Sequence, residues 1–154
     1  ALDHLLLPGG ESVDALRLCV ALTPYWETRG FWREGRARCE AALRDCPPDT
    51  APELQASVTV ATGILTLGQS DYPAAQILLN DACRRWEPLG EPRGIASALC
   101  WRGYTEHRLG RYDEARASVE QALRTGADDG DIPWRAKAFE TLGDIASLQA
   151  DLAT

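Results

Sequence analysis

The chain has 154 residues, within the range of one domain, and 45% of them are hydrophobic, enough to bury a core. Its net charge of −7, from 23 acids against 16 Lys and Arg, argues against non-specific nucleic-acid binding. No apolar run approaches the roughly 18 residues needed to span a bilayer, and no signal peptide is visible.

Residues 1–11 read as an apolar lead-in closed by the turn signal Pro8-Gly9-Gly10. Ser12 is placed to cap a first helix, with Asp14 in its first turn and an apolar stripe through Leu16, Cys19 and Val20. Pro24 is expected to kink or loosen that helix, and Arg29-Gly30 to end it. A second helix is expected from about Trp32 to Arg44, with Ala37, Cys39, Ala41 and Leu43 facing inward and Cys46-Pro47-Pro48-Asp49 stopping it. Thr50 and Glu53 resemble a capping box for a third helix over about 52–68, and a fourth runs from Tyr72 to Arg85 or Trp86. Pro92 opens a fifth helix that ends near Gly110, and a sixth spans Asp113 to Arg124. An acidic loop at 127–131 follows. Asp131 is placed to cap a seventh helix that carries Ala138, Leu142, Gly143 and Leu148.

These elements repeat with a period of 40 residues. Gly30, Ser70 and Gly110 each precede an aromatic by two: Trp32, Tyr72 and Tyr112. Gly35, Ala75 and Ala115 keep the spacing, as do Ala42, Ala82 and Ala122, and Gly63, Gly103 and Gly143. A period of this length marks stacked helical hairpins. The expected fold is all-α, a right-handed superhelix of antiparallel helix hairpins. Seven helices make three hairpins plus one more helix, in repeats of about 12–50, 51–90, 91–130 and an incomplete 131–154. Small residues permit close crossing within a hairpin, so Gly35, Gly63, Ala75, Gly103, Ala115 and Gly143 are assigned to packing. Tyr72 and Tyr112 fill the turn, with Trp32 as the bulky substitute. Ser70 stands where the other turns have glycine, so that turn is expected to differ slightly.

The run Leu109-Gly110-Arg111-Tyr112-Asp113-Glu114-Ala115, with Ala96, Gly103 and Ala122 around it, resembles the tetratricopeptide repeat. That repeat's shorter form has about 34 residues. The resemblance covers about residues 12–154 and is strongest in the third repeat. Three further segments, 25–36, 63–72 and Arg93-Gly94-Ile95-Ala96, resemble the helical sensor region of bacterial signal-transduction ATPases. These are transcriptional regulators of the antibiotic-regulatory, LuxR-like or maltose-regulator-like type, in which a P-loop ATPase module and a DNA-binding module accompany the superhelix. The resemblance implies a cytoplasmic binding or sensory module. The absence of methionine and the start at Ala1 fit a piece of a longer chain. The rival reading is a freestanding adaptor that docks peptides or self-associates.

Nothing in the sequence points to chemistry. No GxxxxGK[ST] loop, HExxH or His-Cys cluster occurs, and no local signal brings Ser97, His107 and Asp144 together. No catalytic, metal or cofactor residues are assigned. The five cysteines form no CxxC pair and read as buried thiols of a reducing compartment. Arg29, Arg33, Arg36, Arg38 and Arg44 interleave with Glu27, Glu34, Glu40 and Asp45, which reads as a solvated helix face.

The first helices of the hairpins are expected to line a concave surface. Counting from the packing glycines places Val60, Ile64, Ser97, Tyr104, His107, Lys137, Thr141 and Asp144 on it. For Val60 and Ile64, burial against a neighbouring helix is the competing role; for Tyr104, packing against the fourth repeat; for His107, an ordinary exposed position. A protein segment, peptide or small effector is the expected partner, and a homodimer through the open terminal helix is the other.

Overall fold

The computed structural model describes residues 10–126 and 133–152, and among them seven α-helices and no strand. They are α1 (Gly10–Arg29), α2 (Trp32–Arg44), α3 (Pro52–Leu67), α4 (Tyr72–Trp86), α5 (Pro92–Arg108), α6 (Tyr112–Thr125) and α7 (Pro133–Leu152). A single 3-10 turn, Glu87–Leu89, separates α4 from α5. The expected acidic loop and the Asp131 cap lie outside the described residues, as does the lead-in up to residue 9.

Local chemistry sets several boundaries. The Asp71 carboxylate accepts from Ala74 N at 3.3 Å, Pro73 stands in the first turn of α4, and Arg84 and Arg85 occupy its last turn. The Glu91 carboxylate accepts from Arg93 N and Gly94 N at the start of α5. The turn after α1 closes through Gly30 at φ +73° and the turn after α5 through Gly110 at φ +77°. Ser70 adopts the same left-handed backbone, φ +59°, so the second turn copies the others and the serine carries the strain.

Four local expectations are corrected. Helix α1 begins at Gly10, two residues before Ser12; Pro24 lies inside it, as expected, and does not end it. Pro24 removes the donor that would have bonded the Val20 carbonyl. Thr50 and Glu53 make no capping box: α3 has Ala51 at its N-cap without a side-chain bond, and the buried Thr50 hydroxyl has no partner. The inward stripe of α2 is Gly35, Cys39 and Ala42, whereas Ala37 is exposed. Gly143 is exposed, with open space where a Cβ would sit, because no described element crosses α7 there.

The helices pack in a repeating order. Each hairpin closes on itself, α1 on α2, α3 on α4, α5 on α6, and each second helix also meets the next first helix. First helices touch in succession, α1 to α3, α3 to α5 and α5 to α7, while no comparable packing joins α2 to α4 or α4 to α6. An inner layer in contact and an outer layer splayed apart produce a curved stack. Three apolar clusters follow, each made of one hairpin sealed by the next first helix. Leu16, Cys39 and Leu65 centre the first, Leu79 and Ala98 the second, Val119 and Ala138 the third. Helix α3 serves the first two clusters from opposite sides, so every residue from Val58 to Leu67 is buried. Within hairpins the crossing glycines work as expected. A Cβ on Gly63 would meet Leu79 at 2.7 Å, and one on Gly103 would meet Val119 at 2.6 Å. Gly35 has a different neighbour, the Trp26 indole of α1.

A candidate binding groove

The inner layer encloses a groove of about 510 Å³ to which α1, α3, α5 and α7 all contribute. Its apolar surface comes from Val20 and Pro24 of α1, Val60 and Ile64 of α3, and Trp101 of α5, with Ser97 between them. Val60 and Ile64 form a floor more than a projecting surface, being 7% and 9% exposed, since both also pack into the second cluster.

Charge is sparse in this lining. Glu27 stands on one side and Arg93 on another, while the Glu91 carboxylate is held by the α5 N-terminus. Burial raises the Glu27 carboxyl above the usual glutamate range, and Lys137 only partly offsets this. Trp86 and Trp134 also line the groove, and their buried indole N–H groups have no acceptor among the described residues. The groove therefore offers an apolar channel, one carboxylate in partly desolvated surroundings and two unpaired donors in its wall.

Of the residues placed on this face by counting, Val60, Ile64 and Ser97 line the groove. Tyr104 and His107 lie further along α5 in a run of aromatic contacts from Trp101 to Tyr112, with ring centroids 5.8–6.5 Å apart. Lys137 Nζ sits 4.9 Å above the Tyr104 ring and 2.8 Å from Glu140, so these two side chains join α5 to the fourth repeat. Thr141 is fully buried and its hydroxyl donates to the Lys137 carbonyl, which sets it beneath the surface. Asp144 is exposed and outside the groove lining. His107 is half-buried, with Nδ1 unpaired.

Counting missed Val20, Pro24 and Glu27, although the register held the signal. They stand 40 residues before Val60, Ile64 and Leu67. The tryptophans were missed for lack of such a signal, because Trp86 and Trp134 occupy no common register. Among the described residues, no group of three or more His, Cys, Asp or Glu is placed to hold a metal ion, and no helix is long and apolar enough to cross a membrane. All five cysteines are free; Cys19, Cys39 and Cys100 are buried, and burial pushes the Cys100 thiol up to about 12.

No family model matches the chain, and no curated protein matches it. Its fold is similar to the crystal structure of a TPR-like protein from Chlorobium tepidum, with a TM-score of 0.75 and 19% identity over 90% of this chain and 97% of that one. At that identity the likeness establishes the fold alone: an all-α, seven-helix, TPR-like superhelix.

Proposed function

We propose that the chain is a non-catalytic binding module whose inner groove takes a peptide segment or a small effector. The observation that carries this reading is the composition of the groove: all four first helices contribute to it, and its surface is mainly apolar with a few separated polar groups. An apolar ligand bearing a cationic group suits the Glu27 carboxylate, whose partial desolvation a positive partner relieves. Its hydrogen-bond acceptors suit the unpaired donors of the wall, given a small shift of the indoles.

In the narrower reading, the module is the cytoplasmic sensor of a bacterial transcriptional regulator of the signal-transduction ATPase type. Ligand in the groove changes the spacing of the first helices, and the stack relays that change to ATPase and DNA-binding modules elsewhere in the protein. The support is the sequence resemblance of segments 25–36, 63–72 and 93–96. A P-loop upstream in the same reading frame favours this reading; a frame without one favours the freestanding adaptor.

The groove itself is tested on the intact chain with peptides selected from a random library. Val20→Arg and Ser97→Arg are expected to weaken binding roughly tenfold or more, and Ile77→Arg, on the exposed face of α4, to leave it unchanged. Peptides that bind both groove variants as tightly as the parent chain reject the reading.

A further inference from the structure

The Glu27 carboxylate lies half-buried in the lining of an apolar groove, and among the described residues it has no hydrogen bond and no ion pair. Its place in the chain works against its charge as well. Glu27 stands in the last turn of α1, at the negative end of that helix's dipole, where a cation is favoured and an acid is not. Earlier in the same helix, Pro24 has no N–H to give to the Val20 carbonyl, which is left without its helical donor. Val20, Pro24 and Glu27 all line the groove. Three negative features therefore belong to one wall: a carboxylate, a freed carbonyl and a helix end.

The nearby cations are committed elsewhere. The Arg29 guanidinium lies 6.0 Å from the centre of the Tyr25 ring. The charge of Lys137 reaches Glu27, but its Nζ sits 2.8 Å from Glu140 and above the Tyr104 ring. Arg93, the one cation of the described lining, stands in the first turn of α5 beside Glu91. The rest of the lining disfavours a metal ion and an anion alike. Val20, Val60, Ile64 and Trp101 cannot replace the oxygen shell that a hard metal ion requires. The Thr23 and Ser57 hydroxyls donate to the Cys19 and Glu53 carbonyls of their own helices, at 2.7 and 2.8 Å, so neither proton is free for an anion. The Trp101 indole, in contrast, is an apolar surface that also attracts cations.

We propose that the groove selects a small protonated amine on an apolar body, its ammonium held by the Glu27 carboxylate and the Val20 carbonyl, its body laid along Val60, Ile64 and Trp101. This rests on the groove being the binding site, and adds the charge and kind of its ligand. A volume of about 510 Å³ is within the range of small-molecule sites. A peptide main chain is served less well. The walls are helices whose carbonyls are mostly spent on their own ladders, so its N–H groups would find few acceptors. An ammonium group brings the N–H donors that the two oxygens lack, and the positive charge that a helix C-terminus favours.

The probes are 4-phenylbutylamine, the neutral 4-phenylbutanol and the anionic 4-phenylbutyrate. Each is titrated into the intact chain at neutral pH and followed by backbone amide NMR. The amine is expected to saturate, with the largest shifts around Val20, Glu27, Ile64 and Trp101. It should bind roughly tenfold or more tightly than the alcohol, and the butyrate should not saturate. Glu27→Gln should bring the amine down to the affinity of the alcohol, and Ser97→Arg should weaken both. An alcohol that binds as tightly as the amine, and is lost in Ser97→Arg, keeps the groove as a binding site and overturns its preference for a cation. Amine binding indifferent to Glu27→Gln does the same. No saturation by the amine at about 5 mM, a bound set by the size of the probe, overturns the proposal; the peptide selection then decides whether the groove binds at all. A capped tripeptide with lysine between two phenylalanines that binds roughly tenfold more tightly than the amine overturns it in favour of a lysine-bearing segment.

Discussion

The Trp134 indole lies against Gly126, so close that a Cβ on the glycine would stand 2.5 Å from the ring. Forty residues earlier the same two positions hold the same pair in reverse: the Trp86 indole lies against Gly94. Each pair spans the junction between one hairpin and the next. At the first junction the corresponding residues are Cys46 and Leu54, both of middling size and both partly buried against the first cluster. The repeat thus preserves the space at this junction and leaves open which side fills it.

Gly94→Ala and Gly126→Ala are each expected to destabilise the chain by about 1–3 kcal/mol, because the indole cannot retreat from a close-packed junction. The exchange Trp86→Gly with Gly94→Trp should cost clearly less than its two single changes added together. Urea unfolding of the four proteins measures this coupling. Strict additivity would show that the two residues do not share one space.

Much of this architecture was legible in the sequence. The 40-residue period located all seven helices to within a few residues, because glycine and proline punctuate every hairpin and the small crossing residues recur in register. The Trp–Gly pairs were not legible, since tryptophan and glycine trade places between repeats and no single position keeps a type. The groove was legible in part. Ser97, Val60 and Ile64 follow from counting, but Glu27 was read with its charged neighbours as a solvated face. The stacking of first helices turns it into the groove instead. Thr141 was misjudged for a related reason. Whether an inner-helix residue projects or lies beneath depends on the neighbouring helix, which a one-dimensional pattern does not contain.

Ser70 is the one non-glycine residue with positive φ among those described. Ser70→Gly should stabilise the protein by about 0.5–1 kcal/mol, and Gly110→Ser should destabilise it by a similar amount. Thermal unfolding of both variants checks this. If Ser70→Gly lowers the midpoint, the serine is held there by something other than backbone tolerance.

Glu27 gives the protein a pH dependence of defined sign. Its folded carboxyl holds a proton to higher pH than the unfolded one, because burial disfavours the charge. Stability contributed by this group is therefore present in acid and falls as pH rises through the interval from the ordinary glutamate value to the raised one. Glu27→Gln should be more stable than the parent chain at neutral pH, with the difference closing as pH falls below the ordinary glutamate range. Unfolding free energies at several pH values test this. A difference that widens in acid would contradict the burial of this carboxylate.

The direct test of the whole register is one comparison, the unfolding free energies of Gly103→Ala and Gly143→Ala. The two glycines share a register position and differ in what crosses them: Gly103 has the Ala115 backbone carbonyl 3.0 Å from its Cβ position, and Gly143 has open space. Gly103→Ala should lose about 1–3 kcal/mol through overpacking, while Gly143→Ala should gain about 0.5–1 kcal/mol from helix propensity alone. Equal effects at the two sites, or a loss at Gly143 in the isolated chain, would contradict the account.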